Sequence, residues 1–490
     1  MTPPTGARPD AGLPGPAAVL PRLVVAAAAS GSGKTTVATG LMAALRHRGL
    51  QVSGHKVGPD YIDPGFHALA CGRPGRNLDP RLVGEDRVPG LLLHAAATPV
   101  PADVALIYGV IGMFDGAEDP AGFASTAHVA RLVQAPVLLV LDVRGQARTA
   151  AAVVAGLRGY DPAVRIGAVV LNRVGSPGHE RTVRSALAEL GVPVAGVIPR
   201  RAEVAAPSRH LGLVPVAERS AESSAVVQAL GELVGETVDL DAVLALARTA
   251  PPLPGPAWDP ARELAAHHRH PTPVGAATAT GPVVAVAGGP AFTFGYAETE
   301  ELLAAAGARV ARFDPLSDAD LPADTSAVVI GGGFPEVYAE ALGANTGLRR
   351  AVADFDGPIV AECAGLLYLG RELDGVPMVG RLPVHARMTP RLQLGYRRAT
   401  AATDSVLAGA GTVVTGHEFH RTSTDPQAGA VPAWQWDGAA HGFVQGRVHA
   451  SYLHLHPAGN PASMLPERAR RRPRAPASWS GSGSVPGTPG

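Results

Sequence analysis

Short runs of apolar residues alternate with helically spaced apolar positions along the first half of the chain. The first run, Leu23–Ala29, breaks into a Ser/Gly turn and continues with helical spacing at Val37, Leu41 and Leu45. Most runs are separated by enough chain for a crossover helix, so the pattern predicts a parallel, doubly wound α/β sheet with ligands at the carboxyl ends of its strands. The predicted strands are Leu23–Ala29, Gln51–Lys56, Val104–Ile107, Pro136–Leu141, Ile166–Leu171 and Val194–Ile198.

This alternation stops near Glu236, and Pro-rich and His-rich segments then flank one helical pattern, Leu240–Arg248. It restarts with a predicted strand at Val283–Ala287 and a helix at Tyr296–Ala306. Further predicted strands are Ala327–Ile330, Pro358–Ala361, Thr412–Thr415 and Gly442–Val448. We therefore predict a disordered tail, a first domain, a linker, a second α/β domain and a disordered tail, with bounds 1–20, 21–235, 236–280, 281–459 and 460–490.

Composition narrows the classes of function. A chain of 490 residues exceeds one ordinary core, in agreement with two domains. Lys+Arg and Asp+Glu both number 42 and aromatic residues make up 4%, which argues against a nucleic-acid partner. No apolar run approaches the roughly 18 residues of a membrane helix, and the first residues lack the pattern of a secretory signal. We therefore expect no membrane partner and a cytoplasmic location.

The turn after the first run has the composition of a phosphate-binding loop. Its glycines let backbone N–H groups converge on a phosphate, Lys34 can reach the β- and γ-phosphates, and the hydroxyl of Thr35 can bind Mg²⁺. The first glycine of the usual pattern is replaced by Ala28. The alternative is a helix N-terminus that only holds an anion. The predicted ATP-binding residues of the loop are Ser30, Gly31, Ser32, Gly33, Lys34, Thr35 and Thr36.

A second candidate site lies in the later half, where a predicted strand runs directly into Glu362 and Cys363 before a helix. A sharp strand-to-helix turn presents its side chain beside a helix N-terminus, which favours a thiolate. A buried structural cysteine is the alternative. The glycine turn after Ile330 offers N–H groups for an oxyanion, and histidines at the end of the second domain offer a base. Those histidines are His449, His454 and His456.

These segments together resemble the cobyrinic and hydrogenobyrinic acid a,c-diamide synthases. The resemblance covers about Arg22 to Gly459, with matching stretches ASGSGKTT, HKVGPDYIDPGFH, VIGMFDG, LNRVGS, PSRHLGLVP, AFTFGYAE, GGGFPE, AECAGLLYLG, GHEFH and SYLHLH. It implies a synthetase domain similar to dethiobiotin synthetase, followed by a class I glutamine amidotransferase domain. It also implies ATP- and glutamine-dependent amidation of two carboxylates of a corrinoid, through an acyl phosphate and ammonia released by a cysteine.

For the second domain, the resemblance implies Cys363 as the nucleophile and His454 as its base. Gly332, Gly333 and Ala364 are the oxyanion candidates. Other class I amidotransferases complete a triad with a glutamate two residues after the histidine, a position occupied here by His456. This fits a two-residue catalytic pair. If the segment is extended, His454 and His456 share one face and His449 lies on the other.

For the first domain, the resemblance implies Asp60, Asp63 and Asp115 as metal or substrate residues, with Lys56 and Tyr61 beside them. Mg²⁺ would be held by Thr35 and Asp60, and Asn172 would contact the adenine. Two positions depart from the family: Tyr108 stands where a glutamate that binds Mg²⁺ is usual, and Thr299 where asparagine is frequent. We hypothesise that Asp60, Asp63 or water replaces the missing carboxylate.

Two other functions remain open at this point: the same chemistry on another tetrapyrrole, such as nickel-sirohydrochlorin, or a partitioning-type P-loop switch. The expected partners are the corrinoid, L-glutamine and ATP, and a homodimer is compatible with both halves. Whether the corrinoid carries cobalt is not encoded in any motif. The cluster His267, His268 and His270 offers metal ligands, but solvated linker histidines are the favoured interpretation.

Overall fold

The computed structural model describes residues 18–117, 122–200, 208–209, 212–213, 215–267 and 281–461. Residues 1–17 and 462–490 of the predicted tails lie outside this part, as do His268 and His270. The structure forms two α/β domains that pack against each other, as the shared buried contacts below demonstrate. In the part that is described, no helix has both the length and the apolar character needed to cross a membrane.

The first domain is built on a parallel sheet of seven strands in the order β3-β2-β4-β1-β5-β6-β7. Its strands are β1 (Arg22–Ala27), β2 (Val52–Val57), β3 (Arg76–Leu78), β4 (Val104–Tyr108), β5 (Val137–Asp142), β6 (Ile166–Val174) and β7 (Val194–Pro199), followed by the two-residue strands β8 (Ser208–Arg209) and β9 (Gly212–Leu213). The helices are α1 (Lys34–His47), α2 (Asp63–Cys71), α3 (Pro80–Val83), α4 (Arg87–Ala97), α5 (Thr126–Leu132), α6 (Thr149–Tyr160), α7 (Pro177–Glu189) and α8 (Ser220–Thr237).

Both faces of this sheet are covered, which explains the continuous apolar runs of its strands. Successive residues of β1 alternate between the two cores: Val24 belongs to one cluster of buried residues, and Leu23 and Val25 to the other. The six predicted strands are all present within a few residues of their bounds. The three-residue β3 adds an edge that the pattern did not predict.

The segment predicted as a linker is mostly helical where it is described. It contains α9 (Leu240–Arg248) and α10 (Pro260–His267). The apolar face of α9 joins one core of the first domain through Leu240 and Val243, and Trp258 and Leu264 join the other core. This stretch is therefore packed onto the first domain, where burial of its apolar residues stabilises it.

The second domain contains a six-stranded sheet in the order β11-β10-β12-β13-β21-β20, in which only the edge strand β20 is antiparallel. A separate sheet, antiparallel except for the pairing of β14 with β16, is dominated by the long hairpin β16–β17. The strands are β10 (Val283–Ala287), β11 (Arg309–Phe313), β12 (Thr325–Ile330), β13 (Ile359–Glu362), β14 (Glu372–Leu373), β15 (Val376–Pro377), β16 (His385–Ala401), β17 (Val413–Asp425), β18 (Trp434–Trp436), β19 (Ala439–His441), β20 (Phe443–Gln445) and β21 (Val448–Ser451), and the helices are α11 (Ala297–Ala305), α12 (Ala339–Ala344), α13 (Thr346–Asp354) and α14 (Ala364–Leu369).

Two predictions for this domain need correction. The single strand predicted at Gly442–Val448 is instead the short β20, a turn and the first residue of β21, because Gly446 adopts a positive φ of 60° and the chain reverses there. The strand predicted at Thr412–Thr415 is the start of the much longer β17. The predicted strand at Val283–Ala287 has the same bounds as β10.

Candidate active sites of the two domains

The loop between β1 and α1 has the shape of a phosphate-binding loop. Gly33 precedes α1 with a φ of 93°, a conformation that favours glycine. A Cβ at this position would come within 2.1 Å of Nδ2 of Asn172, whose side chain donates to the carbonyl of Ser32 at 2.9 Å. Asn172 therefore fixes the backbone of the loop, and its predicted contact with adenine stays a prediction.

Lys34 is the charged residue of this loop, and its ammonium group donates to the carbonyl of Ala29 at 3.2 Å and to that of Ile111. Burial, together with the nearby Lys56, lowers the pKa of Lys34 to about 8, although Asp115 and Asp63 oppose the shift. Backbone carbonyls thus hold the ammonium group where a phosphate would compete for it.

Tyr108 ends β4 directly beside the loop. Its hydroxyl forms a 2.7 Å hydrogen bond with the hydroxyl of Thr35, and the ammonium group of Lys56 lies 4.2 Å from the centre of its ring. The residue that replaces the expected glutamate therefore contacts the hydroxyl that was predicted to bind Mg²⁺. Burial raises the pKa of Tyr108 well above its usual value, so the phenol stays protonated.

The stretch after β2 supplies the predicted acidic residues. Oδ1 of Asp60 accepts from the backbone N–H groups of Ile62 (2.8 Å) and Asp63 (3.0 Å). Burial and the nearby Asp63 raise the pKa of Asp60 to about 6, against the effect of Lys56 and of these N–H groups. Lys56 and Asp63 form an ion pair at 3.4 Å. Asp115 accepts from the N–H of Gly112 at 3.1 Å within its own loop.

Mg²⁺ requires oxygen ligands, and side-chain oxygens surround the phosphate-binding loop. The described residues contain no cluster of three or more His, Cys, Asp or Glu side chains that could hold a metal ion. Mg²⁺ at nucleotide sites, however, is bound mainly by phosphate oxygens and water, with one or two oxygen ligands from the protein. The hydroxyl of Thr35 and the carboxylates of Asp60 and Asp63 provide oxygen ligands of this kind, so the residues fit the ion.

Cys363 forms the turn between β13 and α14, as predicted from the sequence. Its φ is 49° and its ψ is −102°, an uncommon conformation for a residue with a Cβ. Its N–H donates to the carbonyl of Ser451 at 2.8 Å, and its thiol lies 3.9 Å from the carbonyl oxygen of Phe419. Backbone strain at one residue is typical of a nucleophile elbow, the sharp strand-to-helix turn that presents a catalytic side chain. The side chain of Cys363 is nevertheless buried.

The imidazole of His454 lies beside this thiol. Burial alone would lower the pKa of His454, but the Cys363 thiolate and the Glu362 carboxylate outweigh it and raise the pKa to about 10. Neither ring nitrogen has a hydrogen-bonding partner of conventional geometry, as is common before substrate binds. Reciprocal 2.9 Å backbone hydrogen bonds with His417 hold the residue in place.

The other two histidines, His449 and His456, form hydrogen bonds with residues other than Cys363. His449 is on β21, where its Nδ1 bonds to Oγ of Ser405 at 3.0 Å. His456 accepts from the N–H of Ala458 at 3.3 Å, and its ring lies 4.2 Å from that of Tyr296. The strand β21 ends at Ser451, and His454 follows it in an isolated antiparallel bridge with His417, so the segment is not one continuous strand from His449 to His456.

The glycine turn after β12 approaches the same site. A Cβ on Gly332 would lie 2.5 Å from Cε1 of His454, so only glycine fits there. The N–H of Gly332 donates to the carbonyl of Phe294 at 3.2 Å, which commits it. Its predicted role as an oxyanion donor is therefore not supported, whereas Gly333 and Ala364 remain candidates. A small cavity at the thiol is lined by Gly333, Phe334, Glu336, Cys363, Phe419, His420 and Arg421.

Tyr61 of the first domain contacts residues of this second site. Its hydroxyl donates to that of Tyr296 at 2.9 Å, its ring stacks on Phe294 with centroids 5.0 Å apart, and the ring of His454 lies 4.9 Å away. Tyr61 was predicted as a substrate or metal residue, but its hydroxyl is buried against the second domain. The structure thus assigns its side chain to the contact between the domains.

Comparison with known proteins agrees with both domains. A family described as a CobQ/CobB/MinD/ParA nucleotide binding domain matches residues 23–214, and one described as a CobB/CobQ-like glutamine amidotransferase domain matches residues 283–462. Hydrogenobyrinate a,c-diamide synthase of Streptomyces coelicolor is 54% identical over 478 residues, which span 92% of this chain and 98% of that protein. The chain belongs to the hydrogenobyrinate a,c-diamide synthase family.

Two further relatives are similar to the chain over nearly its whole length. The hydrogenobyrinate a,c-diamide synthase of Thermobifida fusca is 56% identical, over 91% of this chain and 96% of that protein. The cobyrinate a,c-diamide synthase of a Synechococcus strain is 42% identical, over 90% of this chain and 96% of that protein. The predicted family resemblance and fold class are confirmed.

As a member of the hydrogenobyrinate a,c-diamide synthase family, the chain is a glutamine-dependent amide-forming ligase with a nucleotide-binding domain. The alternative of a partitioning-type switch leaves the amidotransferase domain without a role. Sequence reasoning overlooked Glu362 and His417, both of which contact His454. Glu362 directly precedes the nucleophile and His417 begins the HEFH stretch, so their positions in these stretches were the available signals.

Proposed function

We propose that the chain amidates the a and c carboxylates of hydrogenobyrinic acid in cobalamin biosynthesis, using ATP and glutamine. The observation that carries this proposal is the pairing of a phosphate-binding loop with a Cys363–His454 site in one chain, joined at Tyr61. The choice of acceptor is supported by identity: relatives named for hydrogenobyrinate match at 49–56%, and those named for cobyrinate at 39–42%.

In the second domain, the thiolate of Cys363 attacks the carboxamide of glutamine while His454 holds the proton. The N–H groups of Gly333 and Ala364 stabilise the oxyanion. Collapse of this intermediate releases ammonia, with the proton supplied by His454, and leaves a thioester that water hydrolyses to glutamate. Glu336 and Arg421 line the small cavity at Cys363, and their charges suit the α-ammonium and α-carboxylate groups of glutamine.

In the first domain, a corrinoid carboxylate attacks the γ-phosphorus of ATP, which yields an acyl phosphate and ADP. Lys34 neutralises charge on the transferred phosphoryl group, and Lys56 lies close enough to steer an anionic substrate. Bound Mg²⁺ would neutralise phosphate charge there, held by Thr35, Asp60 and Asp63. Ammonia from the second domain then displaces the phosphate and forms the amide. We place this reaction in the cytoplasm.

The test is amidation by the purified full chain. With ATP, Mg²⁺ and glutamine, mass measurement of the product from hydrogenobyrinic acid should reveal two carboxyl-to-amide conversions. Cobyrinic acid and nickel-sirohydrochlorin serve as competing acceptors, and preference for either would refute the proposed acceptor. Cys363→Ser should abolish the glutamine-supported reaction and keep the ammonium-supported one. If Cys363→Ser still amidates the acceptor with glutamine as the nitrogen donor, the assignment of Cys363 as the nucleophile is refuted.

A further inference from the structure

The carboxylate of Glu362 lies beside His454, the general base of the amidotransferase site. Its Oε2 is 3.5 Å from Nδ1 of His454, and the side chain is 24% exposed. We propose that Glu362 is the positioning residue of this site, the acid that orients His454 toward Cys363. It would replace the glutamate that other class I amidotransferases carry two residues after the histidine. The proposal rests on the proposed roles of Cys363 and His454.

The strand-to-helix turn explains how adjacent residues can serve one histidine. Consecutive side chains of a regular strand point to opposite faces, but the positive φ at Cys363 breaks this alternation directly after Glu362. Glu362 pairs with Ser451 of β21 in the sheet, and its Oε1 accepts from the N–H of Leu455 at 3.4 Å. One carboxylate oxygen thus contacts the residue after His454 and leaves the other for the imidazole.

Other acidic or basic groups near the imidazole do not offer this contact. In the described part of the chain, Glu362 is the carboxylate that forms an ion pair with His454. Glu418 is held by Arg397 at 2.7 Å and faces His420. His456, which occupies the third position of other class I amidotransferases, accepts from the N–H of Ala458 through Nδ1 and packs its ring on Tyr296.

The remaining titratable neighbours of His454 are uncharged at neutral pH. Burial raises the pKa of Tyr61 well above its usual range. Burial and the proximity of His454 lower the pKa of His417 to about 3. The charges that act on the imidazole are therefore those of Glu362 and the Cys363 thiolate.

The chemical consequence concerns both the tautomer and the charge of the base. When Nδ1–H of His454 faces a carboxylate, Nε2 is the nitrogen left to take the thiol proton. The same carboxylate stabilises the imidazolium formed by that transfer, which favours the thiolate at lower pH. Glu362 does not touch the glutamine carbonyl in this scheme and acts only through His454.

The experiment measures glutamine hydrolysis by the full chain carrying Glu362→Gln. We expect kcat to fall roughly 100-fold with KM for glutamine nearly unchanged, and the acidic limb of kcat/KM to move up by about one pH unit. Glu362→Asp should recover part of kcat. Glu372→Gln is the matched control, because Glu372 also faces a histidine, His385 at 3.1 Å, but on the surface; it should leave hydrolysis unchanged.

A second readout needs no turnover. The rate of alkylation of Cys363 by iodoacetamide reports thiolate directly, and Cys71 stays silent because burial raises its pKa to about 12. The pH midpoint of alkylation should rise by about one unit in Glu362→Gln. Ammonium-supported amidation should be unchanged, which verifies folding. The proposal is overturned if kcat stays within threefold of the unaltered chain or if the alkylation midpoint does not move.

This design separates the two proposals. If the unaltered chain fails to hydrolyse glutamine, or Cys363→Ser still does, the proposed function fails. If the unaltered chain is active, depends on Cys363, and tolerates Glu362→Gln as defined above, only the role of Glu362 fails.

Discussion

The contact between the two domains contains a buried ion pair whose loss can be predicted in magnitude. Arg76 of β3 bonds to Glu298 of α11 at 2.8 Å and also to Glu301, and a second oxygen of Glu301 lies 3.0 Å from His94. The side chains of Arg76 and Glu298 are 4% and 1% exposed. Burial lowers the pKa of Arg76, but the two carboxylates outweigh this and raise it, so the guanidinium stays charged.

We predict that Arg76→Met destabilises the contact between the domains strongly. The change leaves the carboxylate of Glu298 buried without its partner, and removal of one member of a buried pair costs about 3–5 kcal/mol. For a domain of about 200 residues this corresponds to a decrease in Tm of roughly 6–20 °C. The double variant Arg76→Met/Glu298→Met also removes the fully buried carboxylate and leaves Glu301, which is partly exposed and keeps His94 as a partner, so it should recover at least half of that loss.

Thermal unfolding of the two variants and the unaltered chain at pH 7 tests this reasoning. The ratio of glutamine-supported to ammonium-supported amidation, measured in parallel, should fall in Arg76→Met because Tyr61 and His454 meet at the same contact. The reasoning is refuted if Arg76→Met melts within about 2 °C of the unaltered chain or if the double variant is less stable than the single one.

Three further predictions concern single sites. Gly332→Ala should lower glutamine hydrolysis at least about 100-fold, since the new Cβ would lie 2.5 Å from Cε1 of His454. Ammonium-supported amidation should be unaffected. Equal losses in both assays would contradict this prediction. Lys34→Met should lower ammonium-supported amidation by roughly 100-fold or more while glutamine hydrolysis persists, and unchanged amidation would argue against its phosphate role. Burial raises the pKa of Asp79 from 3.8 to about 6, so its protonated form stabilises the fold below pH 3.8 and this contribution is lost as pH rises through 6. Urea unfolding should therefore find that the stability of the unaltered chain falls relative to Asp79→Asn by roughly 2 kcal/mol between pH 4 and 8. A pH-independent difference would contradict the shift.

The elements that could be predicted from the sequence are those that local pattern determines. β1 is buried on both faces and therefore reads as an unbroken apolar run. The turns at Gly33 and Cys363 were recognisable because strand, turn and helix follow one another directly in the chain. Both candidate sites begin at such turns, so their central residues could be predicted from the sequence.

Elements that depend on distant partners were not predictable. β3 begins with Arg76 and Asn77, polar residues that are buried only because the other domain and the loop after β2 supply partners. The hairpin strand β16 mixes exposed and half-buried positions along its whole length, so it has no clear period. The helix α9 has the predicted bounds, whereas α10 was obscured by the prolines and histidines around it, although its Leu264 packs on the first domain.

The same limit applies within the candidate sites. Glu362 and His454 meet through the pairing of β13 with β21, and Tyr61 meets His454 across the domains. Neither contact leaves a periodic signal in the sequence. The hydrogen bond between Thr35 and Tyr108 is another example: the substitution of the expected glutamate was visible, but its new partner was not.

The placement of Tyr61 links the acidic loop of the first domain to the base of the second site. Its backbone belongs to the loop that carries Asp60 and Asp63, and its ring shields one side of His454. A shift of that loop when an anionic acceptor arrives would be felt at the imidazole without any intermediate relay.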